Sequence, residues 1–407
     1  MYRRQPHVAL VGAGMGEREL LTGEAREMIE KADVLVGSAR MLTAFGRPEV
    51  RCLEEYRPGK ITELIRDHPE YRRWAVLLSG DVGFYSGAKG VAAMLREEGL
   101  DPVCVPGIAS IVYLAARLGV SWEDAALRSI HGRKQNIIYA VSRHEKTFLL
   151  LDSKSAPAFC EALRKYGLGE VICYVGNCLS GPDERIIERK GSEIRPEDIG
   201  DPATLLVMNP DPERRAGPHL RDEEFLRGDG DVRVPMTKEE VRAVSMAKLE
   251  LTEDAVLYDI GAGTGSVSVE AALHGEKIRV YAVEQRAEAC DLIERNKRKF
   301  RTDQVRVVRG RAPEALEGLE APTHVFIGGS GGKLKEIIRR VKDKNPAAVL
   351  VINAVTMETV GEVMAALEEG LLADPDILQL GAARASVIGG YHLMKGQNPV
   401  YIITERR

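Results

Sequence analysis

Seven residues constrain this chain more than any others: Asp259-Ile260-Gly261-Ala262-Gly263-Thr264-Gly265. They end an apolar run that begins at Ala255, and they open a helical pattern over Ser266 to Leu273. Glycine at alternating positions permits a sharp strand-to-helix turn, because glycine enters the left-handed backbone region without a steric penalty. A strand that leaves through such a turn into a helix belongs in a parallel sheet covered on both faces. The spacing also limits the ligand. A dinucleotide loop has Gly-x-Gly-x-x-Gly, but Ser stands at 266 and the third glycine comes one residue early. No Gly-Lys-Ser/Thr ending supports a nucleoside triphosphate loop.

Gly-x-Gly-x-Gly behind an acidic residue is instead the pattern of S-adenosylmethionine (SAM) methyltransferases. On this reading Gly261, Ala262, Gly263, Thr264 and Gly265 surround the cofactor. Glu284 closes the next strand and is placed to accept the ribose hydroxyls. Further strands are expected at 279–283, 305–308, 323–327 and 347–352, with helices at 287–300 and 333–341. Gly310-Arg311-Ala312-Pro313 follows the third strand, where this fold places the adenine. Gly328-Gly329-Ser330-Gly331-Gly332 follows the fourth. Its run of N–H groups at a helix start suits carboxylates. Thr237 and Glu240 form a capping-box pattern for a helix that begins at Thr237.

The first half shows a second set of glycine turns. His7 to Val11 reads as a strand that ends in Gly12-Ala13-Gly14-Met15-Gly16. A strand ending at Leu78 leads into Ser79-Gly80-Asp81-Val82-Gly83-Phe84, and a third leads into Pro106-Gly107-Ile108-Ala109-Ser110. Three such turns predict one shared crevice, with Asp81 as its polar contact. His131-Gly132-Arg133 is a fourth polar turn. The alternation stops at Met208. Asn209 to Pro218 holds three prolines and a glycine, which neither a helix nor an interior strand accommodates. This sets a domain at 1–208, a linker and approach segment at 209–235, and a second domain at 236–407.

Composition excludes several functions. The 57 basic residues nearly balance 61 acidic ones, so the net charge of −4 supplies no field for gripping nucleic acid. No apolar run approaches the ~18 residues that cross a bilayer, so no membrane is expected. The N-terminus carries no apolar leader, which makes the cytoplasm the default. The six cysteines include no Cys-x-x-Cys pair; they are expected to be reduced and buried, with no metal bound.

Residues 1–208 resemble the tetrapyrrole (corrin/porphyrin) methylases. The resemblance rests on Val11-Gly12-Ala13-Gly14, Leu20-Leu21-Thr22, Ser79-Gly80-Asp81, Val105-Pro106-Gly107 and His131-Gly132-Arg133, in that order. The second domain resembles the decarboxylating precorrin methyltransferases. There the match rests on Met236 to Arg242, Asp259 to Gly265, Ala312 to Leu316, Gly328-Gly329 and Asn398-Pro399-Val400. In this order the modules resemble the fused enzymes of vitamin B12 (cobalamin) synthesis. The resemblance implies an α/β chain, in which a two-lobed tetrapyrrole methylase fold precedes a Rossmann-like SAM-dependent methyltransferase domain. It implies methylation of carbons 5 and 15 of a precorrin, with loss of CO₂ from the ring C acetate.

It also implies one SAM per domain. Gly12, Gly14, Met15, Asp81, Gly83, Phe84, Ala109 and Ser110 would serve the first, and Thr237, residues 261–265, Glu284, Arg311 and Ala312 the second. Relatives often carry Pro at the places of Met15 and Val82. They often have Asp at the place of Arg311, where backbone near Ala312 is expected to take over an adenine contact. The precorrin carboxylates fall to Gly328, Gly329, Ser330, Gly331, Lys238, Arg242 and Lys333, with Arg384 as a further cation. No catalytic side chain is singled out, because alignment and exclusion of water supply much of what methyl transfer needs. A homo-oligomer, dimer or tetramer, is implied. The residues alone leave open a methyltransferase acting on RNA or protein, and a SAM or tetrapyrrole sensor without turnover.

Overall fold

The computed structural model of the protein describes residues 6–130, 136–215, 217–228 and 234–406. Its contacts form two units. The first gathers most of the chain up to Asp211; the second takes Pro212 onward together with Asn136–Arg143 and Lys165–Gly167. The division is therefore not one cut in the chain. The turn His131-Gly132-Arg133 lies outside the described residues.

The first unit holds two five-stranded sheets. One contains β1 (His7–Gly12), β2 (Val34–Gly37), β3 (Arg51–Glu54), β4 (Arg73–Leu78) and β5 (Val103–Val105), ordered β3-β2-β4-β1-β5 and parallel throughout. Val11 pairs with both Leu77 and Val105, which brings the three glycine turns to one end of the sheet. The other sheet contains β6 (Ala126–Ser129), β7 (Lys146–Leu151), β8 (Ile172–Asn177), β9 (Arg185–Lys190) and β10 (Ala203–Met208). Its order is β6-β7-β10-β8-β9, and only β6 and β7 run parallel.

The second unit is built on seven strands: β11 (Val256–Ile260), β12 (Arg279–Glu284), β13 (Val305–Arg309), β14 (His324–Ile327), β15 (Val349–Ala354), β16 (Asp376–Leu380) and β19 (Val400–Glu405). The order is β13-β12-β11-β14-β15-β19-β16, with the first five parallel. A separate hairpin pairs β17 (Ala383–Ile388) with β18 (Tyr391–Gly396). Every residue of β11 is buried. Val256, Tyr258 and Ile260 pack on one face, against Ile337, Ile338 and Val341 of the helix Leu334–Lys344. Leu257 packs on the other, against Leu249, Val267 and Ile293. Two covered faces explain why the strand is apolar at every position but Asp259. From β11 the chain builds outward through β12 and β13, then returns to β14 on the opposite side. The strand order thus reverses between β11 and β14, the point at which open α/β sheets leave a crevice.

Two expectations need correction. The helix read from Thr237 spans Glu239–Leu249, with Lys238 at its N-cap and no side-chain cap. The Thr237 carbonyl accepts from Arg242 Nη1 at 2.6 Å, and Glu240 pairs with Arg384, so the capping box does not form. All six cysteines are free, but Cys52, Cys104 and Cys178 are exposed. Cys52 and Cys104 lie on β3 and β5, the two edges of the first sheet, where burial is incomplete.

Candidate functional site

A cavity of about 660 Å³ opens at the C-terminal ends of β11 to β14. Of the residues predicted for this half, Thr237, Gly261, Ala262, Gly263, Glu284, Arg311 and Ala312 line it. So do Lys238, Gly328, Gly329, Ser330 and Gly331. Thr264, Gly265, Arg242 and Lys333 do not line it.

The glycine loop owes its spacing to protein neighbours. Gly261 has φ +75°, and a β-carbon there would lie 2.9 Å from the Gly329 nitrogen. Gly263 has φ +56°, and its β-carbon would lie 2.5 Å from the Pro235 carbonyl oxygen. At Gly265 the corresponding space belongs to Ile293. The bare backbone expected to face a ligand faces other backbone and one side chain instead. The loop N–H groups are also used internally: those of Gly261 and Ala262 donate to the Val283 carbonyl at 3.0 and 3.2 Å.

Glu284 is nearly buried and held rigidly. One oxygen accepts from the Gly263 N–H at 3.0 Å and the other from the Arg286 N–H at 2.9 Å. Each carboxylate oxygen can accept twice, so acceptor capacity remains toward the cavity that Glu284 lines. Asp259, one strand away, is fully buried. Burial pushes its carboxyl up to about 7 against the opposing hydrogen bonds of Ser268, and nearby Glu284 pushes the same way. Its Oδ2 accepts from the Ser268 N–H and hydroxyl, while Oδ1 has no partner among the described residues.

The loop 328–332 offers fewer free donors than its composition implies. The N–H groups of Gly328 and Gly329 donate to the Ile260 carbonyl, and that of Gly332 donates to Ser330 Oγ. Among the described residues, the N–H groups of Ser330 and Gly331 have no internal acceptor. Glu362 fixes the loop from behind: it accepts from Ser330 Oγ at 2.8 Å and from the Leu334 N–H at 3.2 Å. Glu362 was not anticipated, and it lies 32 residues away in sequence.

The expected cations are differently employed. Arg242 is fully buried; it donates to Glu270 at 2.7 Å and to Asp222 at 3.1 Å, and lies 4.9 Å from the Phe225 ring centre. Fully buried and outside the cavity, it does not hold a substrate carboxylate as expected. Lys333 pairs with Glu314, Arg384 with Glu239 and Glu240, and Lys238 with Asp222 at 3.5 Å. Asn353, absent from the sequence reading, lines the cavity from the end of β15, where Ser245 holds its side chain. A polar residue near the end of an apolar strand was the available signal.

In the first unit the three turns meet directly. A β-carbon on Gly12 would lie 2.6 Å from the Gly107 nitrogen and 3.0 Å from the Gly80 carbonyl. Gly14 and Gly80 exchange backbone hydrogen bonds of 3.1 and 2.7 Å. Asp81 links two turns: it accepts from the Gly83 N–H at 2.7 Å and the Gly107 N–H at 3.1 Å. Thr22 caps the helix Gly23–Lys31 and donates to the Pro106 carbonyl at 3.3 Å. The Met15 carbonyl accepts from Arg40, and Ser110 Oγ lies 2.7 Å from Thr204 Oγ1. A cavity of about 610 Å³ takes in Gly83 and Phe84, but not Gly12, Gly14, Met15, Asp81, Ala109 or Ser110.

Two families match this chain. The precorrin methyltransferase domain matches residues 227–407, and the tetrapyrrole (corrin/porphyrin) methylases match residues 7–195. A probable cobalt-precorrin-6B C(15)-methyltransferase (decarboxylating) of Pyrobaculum calidifontis is 46% identical over 191 residues, covering 46% of this chain and 96% of that one. A precorrin-6Y C(5,15)-methyltransferase (decarboxylating) of Sinorhizobium is 28% identical over 420 residues, covering 98% of this chain and 95% of that one. The crystal structure of a precorrin-6Y C5,15-methyltransferase from Geobacter metallireducens is 37% identical, covers 46% of this chain and 97% of that one, and gives a TM-score of 0.43.

Proposed function

Since the chain belongs to the decarboxylating precorrin methyltransferases, with a tetrapyrrole methylase half before them, we propose that it is a bifunctional methyltransferase of cobalamin synthesis. It methylates C5 and C15 of a precorrin and releases the ring C acetate carboxyl as CO₂. The first half serves C5; the second serves C15 and the decarboxylation. That division is supported by relatives that share about half of this chain and are named for C15 alone, beside a full-length relative named for both carbons.

The observation that carries the reading for the second half is a pinned carboxylate on the wall of a cavity at the strand-order switch. A volume of about 660 Å³ suits a ligand of cofactor size. Glu284, fixed by two backbone N–H groups, fits the ribose hydroxyls of SAM. SAM, when bound, supplies the methyl group on a sulfonium. The protein's part is to orient the two partners and exclude water. Val355 and Val400 give part of the cavity an apolar wall. A carboxylate set against such a wall is not stabilised, which favours its loss once the methylated ring can take up the electron pair. Ala312 and Thr237 complete the cofactor side, and Ser330 and Gly331 supply N–H donors on the substrate side. In the first half, Asp81 and the Gly12, Gly14 and Gly107 backbone form the corresponding frame.

Incubation of the full chain with SAM and the tetrapyrrole, followed by mass spectrometry, tests the reading. The expected product gains two methyl groups and loses one CO₂. Unchanged substrate, with SAM intact, would overturn it.

A further inference from the structure

Three cations line the cavity of the second unit: Lys238, Arg286 and Arg311. Lys238 faces Asp222 and Arg286 faces Glu284, each at 3.5 Å. Arg311 differs. Among the described residues it has no carboxylate within ion-pair distance; its Nη2 donates to the neutral carbonyl of Gly331. Its side chain bridges the turn after β13 and the loop after β14, the two walls that meet at the cavity. It is exposed there. Glu314, the nearest acid in sequence, is taken by Lys333. A guanidinium carries five N–H donors in a planar fork. One contact to a carbonyl leaves most of these donors free, and the charge, which Glu314 feels only at a distance, without a direct ion-pair partner among the described residues.

We propose that Arg311 anchors a peripheral carboxylate of the tetrapyrrole substrate, and that this carboxylate is not the acetate lost as CO₂. The proposal rests on the function proposed above. The chemistry excludes the departing group. Decarboxylation moves charge from the carboxylate into the ring, so an ion pair would favour the ground state over the transition state and slow the step. A spectator carboxylate gains from the same fork at no cost to the reaction. Arg311 thus passes from the adenine side, where the family pattern set it, to the substrate side.

Two variants separate charge from the bridge. R311Q keeps an N–H donor for the Gly331 carbonyl but loses the charge; R311K keeps the charge. For R311Q, KM for the tetrapyrrole should rise about tenfold, as expected for loss of one charge-assisted contact. The dissociation constant for SAM, read by calorimetry, should stay within about twofold, and CO₂ released per C15 methyl should not change. R311K should recover most of the KM. An unchanged KM in R311Q would overturn the proposal by showing that only the bridge matters. A parallel rise in the SAM constant would return Arg311 to the cofactor. Faster release of CO₂ relative to C15 methylation in R311Q would make the departing carboxylate its partner and overturn the proposal. A wild-type chain that converts nothing sinks the proposed function itself, whereas an active wild type with an indifferent R311Q sinks only this assignment.

Discussion

The carbonyl oxygen of Pro235 lies 2.5 Å from the position a β-carbon on Gly263 would occupy. The segment before the helix Glu239–Leu249 is therefore seated on the glycine loop, and the loop has no room for a side chain. Gly263 also sits at φ +56°, strained for any other residue. Gly263→Ala should cost about 2 kcal/mol or more in unfolding of the second unit. It should also weaken SAM binding at the second site by at least about tenfold. Denaturant unfolding and calorimetry measure the two effects.

Arg242 tests whether a buried cation is structural. Its partners Glu270 and Asp222 would be left uncompensated by Arg242→Ala, at a cost of about 3–5 kcal/mol. In whatever fraction stays folded, KM for the tetrapyrrole should be unchanged. A raised KM with normal stability would restore Arg242 to the substrate site.

The Asp259 carboxyl makes stability fall as pH rises. Its ordinary value is 3.8, and burial raises it to about 7 in the folded chain. The contribution is fully present below 3.8 and is lost as pH climbs through about 7, because only the unfolded chain ionises freely between those values. Asn at 259 does not titrate. The melting temperature of Asp259→Asn relative to wild type should therefore increase from about pH 4 to about pH 8, measured by calorimetry on the full chain. A difference independent of pH would mean that Asp259 ionises normally.

Asp81 and Glu284 separate the two activities. Glu284→Ala removes the acceptor of the Gly263 and Arg286 N–H groups, and should leave a product with one added methyl and no CO₂ loss. Asp81→Ala frees the Gly83 and Gly107 N–H groups, and should give one added methyl with CO₂ loss. Mass spectrometry of the products decides. If either variant, still folded, abolished both activities, the two-site division would fail.

The parallel strands of the second half were legible because both faces of each are covered, so apolar runs and glycine turns coincide with their ends. The hairpin of β17 and β18 was not read. Val387, Tyr391 and Met394 on it are exposed, so burial left no alternation to follow. Gly389-Gly390 between two runs was nevertheless a usable turn signal. The glycine loop marks the turn and the cavity as its spacing implies, but its bare positions meet Gly329, Pro235 and Ile293 rather than open space. The cations were the least legible part. Lys333, Arg242 and Arg384 have acidic partners 19 to 145 residues away, and one sequence does not reveal which charges meet. Arg311 stands apart because, among the described residues, no acid forms a direct ion pair with it.

Gly261 abuts the backbone of Gly329, and Glu362 braces the same loop from its far side. The turn after β11 and the loop after β14 are thus packed together. If the proposed function holds and a ligand shifts either one, the other must accommodate the shift, and reciprocity would then make donor and acceptor alter each other's affinity by an equal factor.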